Sequence, residues 1–513
     1  MADILLSTLN ARYIHASFGL RYLLANLGDL ASRAEIQEFV IDERPLDIVE
    51  RILAKKPKIL GLGVYIWNVE PVAEVVKLIK VISPETLVVL GGPEVSYGAN
   101  EPWIDSSVDF IVTGEADVVF RELCQTLLDG GRPKTKVIQA KPPTFDELVL
   151  PYELYSEDDI AHRVIYVEAS RGCPFKCEFC LSSLDVAVRK PQIDRFLEAM
   201  ETLIARGVKH FKFVDRTFNL SLRVSQKILG FFLERYEKGM FLHFEMVPDR
   251  LPEGLKELIA KFPVGSLQFE VGVQTLDPEV GTRIQRRQNV EKLADNIRFL
   301  REHTGVHVHA DLIVGLPGES VDMFRLGFDR LIAMGPQEIQ VGILKKLKGT
   351  PIERHDEPFG MRYSPAPPFE ILSTDAVDFD TMQRMRRFAR FWDIFANSGN
   401  FRDTLPTVWA TGSAFDGFMD FADFLMERLG QTHKISLARQ ANVLFDYLCE
   451  RRQVDGEVAA TQILSDFKRV GRREVPHFLR QRLTQEVLRS VEARVGQHSD
   501  RRHIPTRQAR HLG

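Results

Sequence analysis

Arg171 to Cys180, RGCPFKCEFC, places Cys173, Cys177 and Cys180 in the spacing Cys-x-x-x-Cys-x-x-Cys directly behind an apolar run, Val164–Val167. A short loop lets three thiolates turn toward one centre, so this stretch requires a strand that ends at a metal site. Cuboidal 4Fe-4S clusters are held by cysteine thiolates. Three protein ligands leave one iron open to a small molecule. A zinc site usually asks for four ligands, often as paired C-x-x-C units, and no fourth Cys or His lies nearby. The chain holds five cysteines in 513 residues, so chance is a poor account of three within eight positions.

A chain of this length is expected to form two or three domains. Its apolar content of 44% and charged content of 27% are those of a globular protein. No apolar run approaches the roughly 20 residues of a membrane helix, so no membrane contact is expected. No basic region precedes the first apolar stretch, which argues against a secretory signal. Cys124 and Cys449 stand far from the trio, so reduced cysteines and a cytoplasmic setting fit better than disulfides. The net charge of −4 hides an asymmetry: from Phe467 to Gly513 there are 12 Lys/Arg against 4 Asp/Glu, a net of +8. Such a tail suits nucleic acid or an acidic surface, but a solvated helix with a frayed end is the favoured reading.

The first 135 residues alternate short apolar strands with amphipathic helices. Strands are expected at Asp3–Leu9, Glu35–Ile41, Ile59–Ile66, Thr86–Gly91 and Phe110–Thr113, and helices at Leu20–Leu27, Pro71–Val81 and Val118–Leu128. That rhythm predicts an α/β fold with a Rossmann-like, doubly wound parallel sheet. Ligands of such sheets lie beyond the carboxyl ends of the strands. Three ends there are polar or glycine-rich: Thr8-Leu9-Asn10, Gly91-Gly92-Pro93-Glu94 and Gly114-Glu115-Ala116-Asp117. No G-x-G-x-x-G is present, so a nicotinamide dinucleotide site is unsupported.

VVLGGPE and VTGEAD, followed by the three-cysteine loop, resemble the cobalamin-binding radical S-adenosylmethionine enzymes, in a subgroup whose chains begin with a motif like LNARYIHASFGLRYL. The resemblance covers residues 1 to about 400. It implies cobalamin at the first domain, with Asn10, Gly91, Gly92 and Gly114 as contacts. The Asp-x-His-x-x-Gly motif that often supplies histidine to cobalt is missing, and His15 stands in another context, IHASFG. Cobalamin is therefore expected without a histidine ligand.

Residues 136–162 are rich in proline and acids and read as a surface linker. Six strand–helix units follow in residues 163–348, with strands at Val164–Ala169, Phe211–Asp215, Leu242–Val247, Leu267–Val273, Val306–Val314 and Ile339–Leu347. They fit a partial (βα)6 TIM-like barrel, whose chemistry belongs at the C-terminal strand ends. The cysteine loop follows the first of them.

The superfamily resemblance implies that the open iron binds the amino and carboxylate groups of S-adenosylmethionine. FEVGVQT, Phe269–Thr275, and DLIVGLPGE, Asp311–Glu319, are similar to motifs of oxygen-independent coproporphyrinogen oxidases and radical methylthiotransferases. By that resemblance Glu245 and Gln274 bind the ribose hydroxyls, and Arg286, or its neighbour Arg287, pairs with the methionine carboxylate. Asp311 lies near the nucleoside, and Gly315 and Gly318 let backbone approach adenine. Asp215 stands where relatives carry a Gly-Gly-Glu run for the amine.

Residues 349–513 read as a barrel-capping segment and an α-helical C-terminal module. The leading reading is an enzyme that uses a 4Fe-4S cluster, S-adenosylmethionine and cobalamin to methylate an unactivated carbon, its catalytic residues and substrate unassigned. It would draw electrons from a reductant such as flavodoxin or ferredoxin. The alternatives are a cobalamin-dependent cyclase or rearrangement enzyme, a methylthiotransferase acting on RNA or protein, and a non-catalytic iron–sulfur or corrinoid carrier. A methylthiotransferase normally needs three further cysteines, and two remain.

Overall fold

The computed structural model describes residues 2–97, 102–185, 187–410, 412–472, 474–495 and 504–512. Two compact units emerge. The first comprises Met1–Arg216, Lys345–Glu353 and Ser364–Glu370; the second comprises Thr217–Leu344, Arg354–Tyr363 and Ile371–Gly513.

The first unit is built on a six-stranded parallel sheet in the order β2-β1-β3-β4-β5-β6. Its strands are β1 (Ile4–Asn10), β2 (Ala34–Val40), β3 (Ile59–Gly63), β4 (Leu87–Gly91), β5 (Phe110–Thr113) and β6 (Val137–Gln139). Every residue of β1 is buried, as a central strand covered on both faces must be. The apolar set splits between the faces. Ile48, Val72 and Ile79 pack on one side, while Leu20, Phe120 and Leu127 pack on the other. The strand order reverses between β1 and β3, and ligands of open α/β sheets bind at such a switch point.

Residues 136–162 are mostly exposed, but they do more than connect. They supply β6 and bury Phe145, Leu148, Tyr152 and Tyr155. Short turns made this hard to read. Thr144 and Glu147 close one turn by a reciprocal capping box, and Ser156 and Asp159 cap the helix Glu157–His162 in the same way.

A second six-stranded sheet runs in sequence order: β7 (Ile165–Val167), β8 (His210–Phe213), β9 (Phe241–Met246), β10 (Leu267–Gln274), β11 (His307–Val314) and β12 (Glu338–Ile343). Both sheets are parallel, and a helical region follows them. Its helix Ala414–Leu429 carries Phe415, Phe418, Phe421 and Leu425 on a buried stripe and ends at Gly430 in the left-handed conformation. Trp392, Phe388 and Phe328 meet Phe415 and Phe418 in edge-on contacts, among them Trp392–Phe418 with ring centroids 4.8 Å apart.

The basic tail is not a frayed end where the structure describes it. Ile504 lies against Gly265, the Gln508 amide donates to Gln268 at 2.6 Å, and Arg507 pairs with Glu338 at 2.6 Å. The His511 ring meets His307 edge-on at 5.2 Å. Gln268, His307 and Glu338 stand at the N-terminal ends of their strands, so this segment closes the base of β10–β12. Glu338 is 2% exposed. Burial alone would raise its pKa, but His307, His309 and Arg507 hold the carboxyl down at about 2. Arg507 is 43% exposed and its pair is therefore screened. With Ile504 and His511 also withdrawn, truncation before Ile504 is expected to cost about 2–4 kcal/mol. Thermal unfolding of the truncated chain measures this, and an unchanged midpoint would show the tail to be dispensable.

Candidate functional site

The cysteine loop grows out of β7, which pairs with β8 through Ile165–Phe211 and Val167–Phe213. Asp215, just beyond β8, receives the Ala169 N–H at 2.9 Å and the Ser170 hydroxyl at 2.5 Å. It thereby fixes the exit of the strand. Burial pushes its carboxyl up to about 7. Both oxygens thus serve the backbone turn, where the resemblance placed them on the S-adenosylmethionine amine. Gly172 follows with φ +88°, and a Cβ there would stand 2.3 Å from the Ala187 carbonyl oxygen. No other residue permits this turn. The Cys173 N–H donates to the Asp185 carbonyl at 2.9 Å, and the Cys180 N–H donates to the Cys177 carbonyl at 3.1 Å.

Cys173 and Cys177 are buried and Cys180 is half-buried. Among the described residues no three His, Cys, Asp or Glu donors close around a single ion. A cuboidal cluster asks instead for sulfurs at separate corners, which three cysteines on one loop supply. Cys124 is excluded from such a role. It is fully buried under the first sheet, and burial pushes its thiol up to about 12.

Arg171 joins this loop to the first sheet. Its guanidinium pairs with Glu168 at 2.9 Å and with Glu115 and Asp117 at 3.0 Å each, and it lies 4.3 Å from the Tyr22 ring centre. Burial works against its charge, but Glu168 and Asp117 outweigh that and raise its pKa. Arg189 pairs with Glu115 and with Asp185, at 2.5 Å to the latter. The GEAD turn is therefore the acidic socket for two arginines that flank the cysteines.

Glu168, Arg171 and Asp117 also line a cavity of about 290 Å³ inside the first unit. Its floor is one face of the sheet. Gly63 lies opposite Gly91, Gly61 opposite Val89, and Gly91 opposite Val112. Gly91 leaves bare backbone between Gly63 and Val112, while Gly61 packs against Phe120 and Leu6 and Gly63 against Thr8 and Tyr65. Of the residues expected at cobalamin, Gly91 and Gly92 line the cavity and Asn10 and Gly114 do not. The Asn10 amide donates to Glu38 at 2.6 Å, and the Gly114 N–H donates to the Ser96 hydroxyl at 3.3 Å. The sequence reading missed Gly61, Gly63 and Arg171. Two glycines spaced by two in an apolar strand, ILGLG, were the available signal, because glycine inside a strand often marks a close approach. The lining contains no His, Cys or Met. The His15 ring instead bonds the Tyr166 hydroxyl at 2.6 Å. At about 290 Å³ the slot is too small for a whole corrinoid.

In the second unit the expected nucleoside residues occupy adjacent strands. Glu245 lies on β9 opposite Glu270 of β10, and Asp311 on β11 lies opposite Gly272. Gln274 ends β10 with φ +69°. Arg286 donates to the Gly272 carbonyl, and a Cβ on Gly272 would meet the Gln274 amide at 2.7 Å. Gln274 and Arg286 therefore come together over Gly272, near Asp311. Gly315 has a packing reason of its own: a Cβ there would fall 2.6 Å from Ile371. Glu319, which closes GLPGE, receives the Thr275 hydroxyl at 2.5 Å, and burial pushes it up to about 8.

The profile of the Radical SAM superfamily matches residues 167–329, and that of the B12 binding domain matches residues 5–124. The chain therefore carries a B12 binding domain followed by a radical SAM domain. A third profile, a protein family of unknown function, DUF4080, matches residues 357–510. The chain is similar to an uncharacterised methyltransferase of Pyrococcus horikoshii, with 25% identity over 59% of this chain and 70% of that protein. It is also similar to the cobalamin-dependent radical SAM methyltransferase TokK of Streptomyces tokunonensis, with 26% identity over 60% of this chain. The match spans half of TokK. The solved structure of the cobalamin-dependent S-adenosylmethionine radical enzyme OxsB shares the fold at a TM-score of 0.63 and 13% identity, over 99% of this chain and 83% of that one. A 4Fe-4S cluster, S-adenosylmethionine and cobalamin are the cofactors seen with these domains in solved relatives, and three cysteines on one loop suit the first. No helix among the described residues is long and apolar enough to cross a membrane.

Two outcomes follow from this geometry. Cys177→Ala is expected to lose the cluster chromophore and acid-labile sulfide after anaerobic reconstitution, measured by absorbance and sulfide assay. Glu319→Gln keeps an acceptor for Thr275 and removes the charge. Because the folded carboxyl titrates near 8 against an ordinary value of 4.5, its stabilising protonated form is complete below pH 4.5. That contribution is lost as pH rises through about 8. Thermal midpoints across that window are therefore expected to fall less steeply in the variant than in the wild type.

Proposed function

We propose that the enzyme is a cobalamin-dependent methyltransferase that methylates an unactivated carbon. One observation carries this reading: Arg171 lines the glycine slot with its guanidinium while its backbone leads directly into Cys173. The sites for a methyl carrier and for a radical source are thus parts of one buried network. When bound, the cluster with S-adenosylmethionine supplies a 5′-deoxyadenosyl radical, and cobalamin supplies a transferable methyl group.

Cys173, Cys177 and Cys180 would hold three irons and leave the fourth for the ligand. Glu245 and Gln274 offer oxygens to a ribose diol, and the Arg286 fork suits a carboxylate. Asp311 stands beside them. Gly91 and Gly92 would admit part of cobalamin at the edge of the slot, and the lining offers no histidine, cysteine or methionine to cobalt. A one-electron donor of the flavodoxin or ferredoxin type would serve as reductant.

Turnover with dithionite and a candidate substrate tests the reading. S-Adenosylhomocysteine is expected alongside 5′-deoxyadenosine. Formation of 5′-deoxyadenosine alone, with corrin bound, would favour cyclisation or rearrangement.

A further inference from the structure

We propose that Lys345–Glu353 is a strap that sets the spacing between the glycine slot and the cysteine loop, with Glu94 and Lys348 as its positioning residues. The inference rests on the reading that both cofactors act in one turnover. It concerns how this chain keeps them in register.

The strap follows β12, beyond the C-terminal end of that strand. Its first anchor is charge. Lys348 Nζ lies 3.1 Å from Glu94 Oε1, and Glu94 is 5% exposed. A carboxylate this buried requires a partner close by. Glu94 belongs to the turn that begins with Gly91 and Gly92 at the slot. That turn has no slack. Gly92 has φ +108°, and a Cβ there would stand 2.5 Å from the Val64 carbonyl oxygen. A pull on Glu94 therefore moves the slot's edge as a body.

The second anchor is steric. Gly349 faces the Tyr97 ring so closely that a Cβ would fall 2.5 Å from Tyr97 Cγ. Thr350 then folds back, its hydroxyl donating to the Leu347 carbonyl at 2.7 Å. The third anchor is backbone. The Ile352 N–H donates to the Glu178 carbonyl at 3.0 Å, and Glu178 is fully buried between Cys177 and Cys180. From Lys348 to Ile352 the chain spans at most about 14 Å even when extended. Lys348 also sits over the Phe369 ring at 5.6 Å, and the Lys346 N–H donates to the Phe369 carbonyl at 3.0 Å, so the strap is held from a further side.

A tether this short, fastened to both sites, fixes their separation. An ion pair that only stabilised the fold would give a different result when cut, and magnetic resonance separates the two. Full-length wild type, Lys348→Met, Glu94→Gln and the charge-swapped Glu94→Lys/Lys348→Glu chain would be reconstituted with iron, sulfide and cobalamin. Iron, sulfide and corrin content and thermal midpoint would be measured. The dipolar coupling between reduced cluster and cob(II)alamin would then be read by electron paramagnetic resonance. Both single variants are expected to keep both cofactors but lose the single well-defined coupling of the wild type, and the swap is expected to restore it. Unchanged coupling in the single variants would overturn the strap and leave the cobalamin reading intact. So would a joint loss of both cofactors with a lowered midpoint. A wild-type chain that keeps iron but no corrin would overturn both.

Discussion

The first unit depends on where the Arg171 charge goes. A guanidinium out of water carries a desolvation cost of several kcal/mol unless hydrogen-bonded carboxylates surround it. Glu168, Glu115 and Asp117 do so, and the Tyr22 ring closes another side. Removing one acid would leave the buried cation two carboxylates, while removing the arginine would take this cation from Glu168 and Asp117 and leave Glu115 with Arg189. Lysine could not replace Arg171, because a point charge lacks the planar fork that reaches several acceptors at once. The value of the network lies in arrangement more than in stability. It specifies one orientation of the cysteine loop relative to the sheet.

Much of this architecture was legible in the sequence because the signals were periodic. Strand–helix alternation located five strands of the first sheet and six of the second, and the cysteine spacing located the loop. What stayed hidden depends on contacts between residues far apart in sequence. Val137–Gln139 is three residues long and its first and last side chains are exposed, so no alternation marks it as a strand. Asp215 reads as a ligand-binding acid in a string of polar residues. Only the fold brings it back to Ala169 and Ser170 across 45 residues or more of chain. The slot glycines Gly61 and Gly63 were visible as letters, but their meaning required the register that sets them beside Val89 and Gly91.

The interior of the second unit departs from an apolar barrel core. His243 pairs with Glu270 at 3.0 Å, His307 with Glu338 at 2.9 Å, and His309 lies 3.4 Å from Asp311. Where a closed barrel is filled with branched aliphatics, these strands hold two hydrogen-bonded histidine–glutamate pairs and a close histidine–aspartate contact. Burial lowers the pKa of His307, while Asp311 and Glu338 raise that of His309 against the same burial. Two histidines on one strand therefore take different charge preferences from their neighbours alone. Such a column holds strand ends rigidly, which suits a site where a reactive intermediate must be kept from water.

The tail segment around Arg507 gives this arrangement a temporal side. Glu338 leaves the ribosome long before Arg507, Gln508 and His511, which close the base beside it. Until they arrive, β10–β12 carry an uncovered end with a buried acid short of a cation.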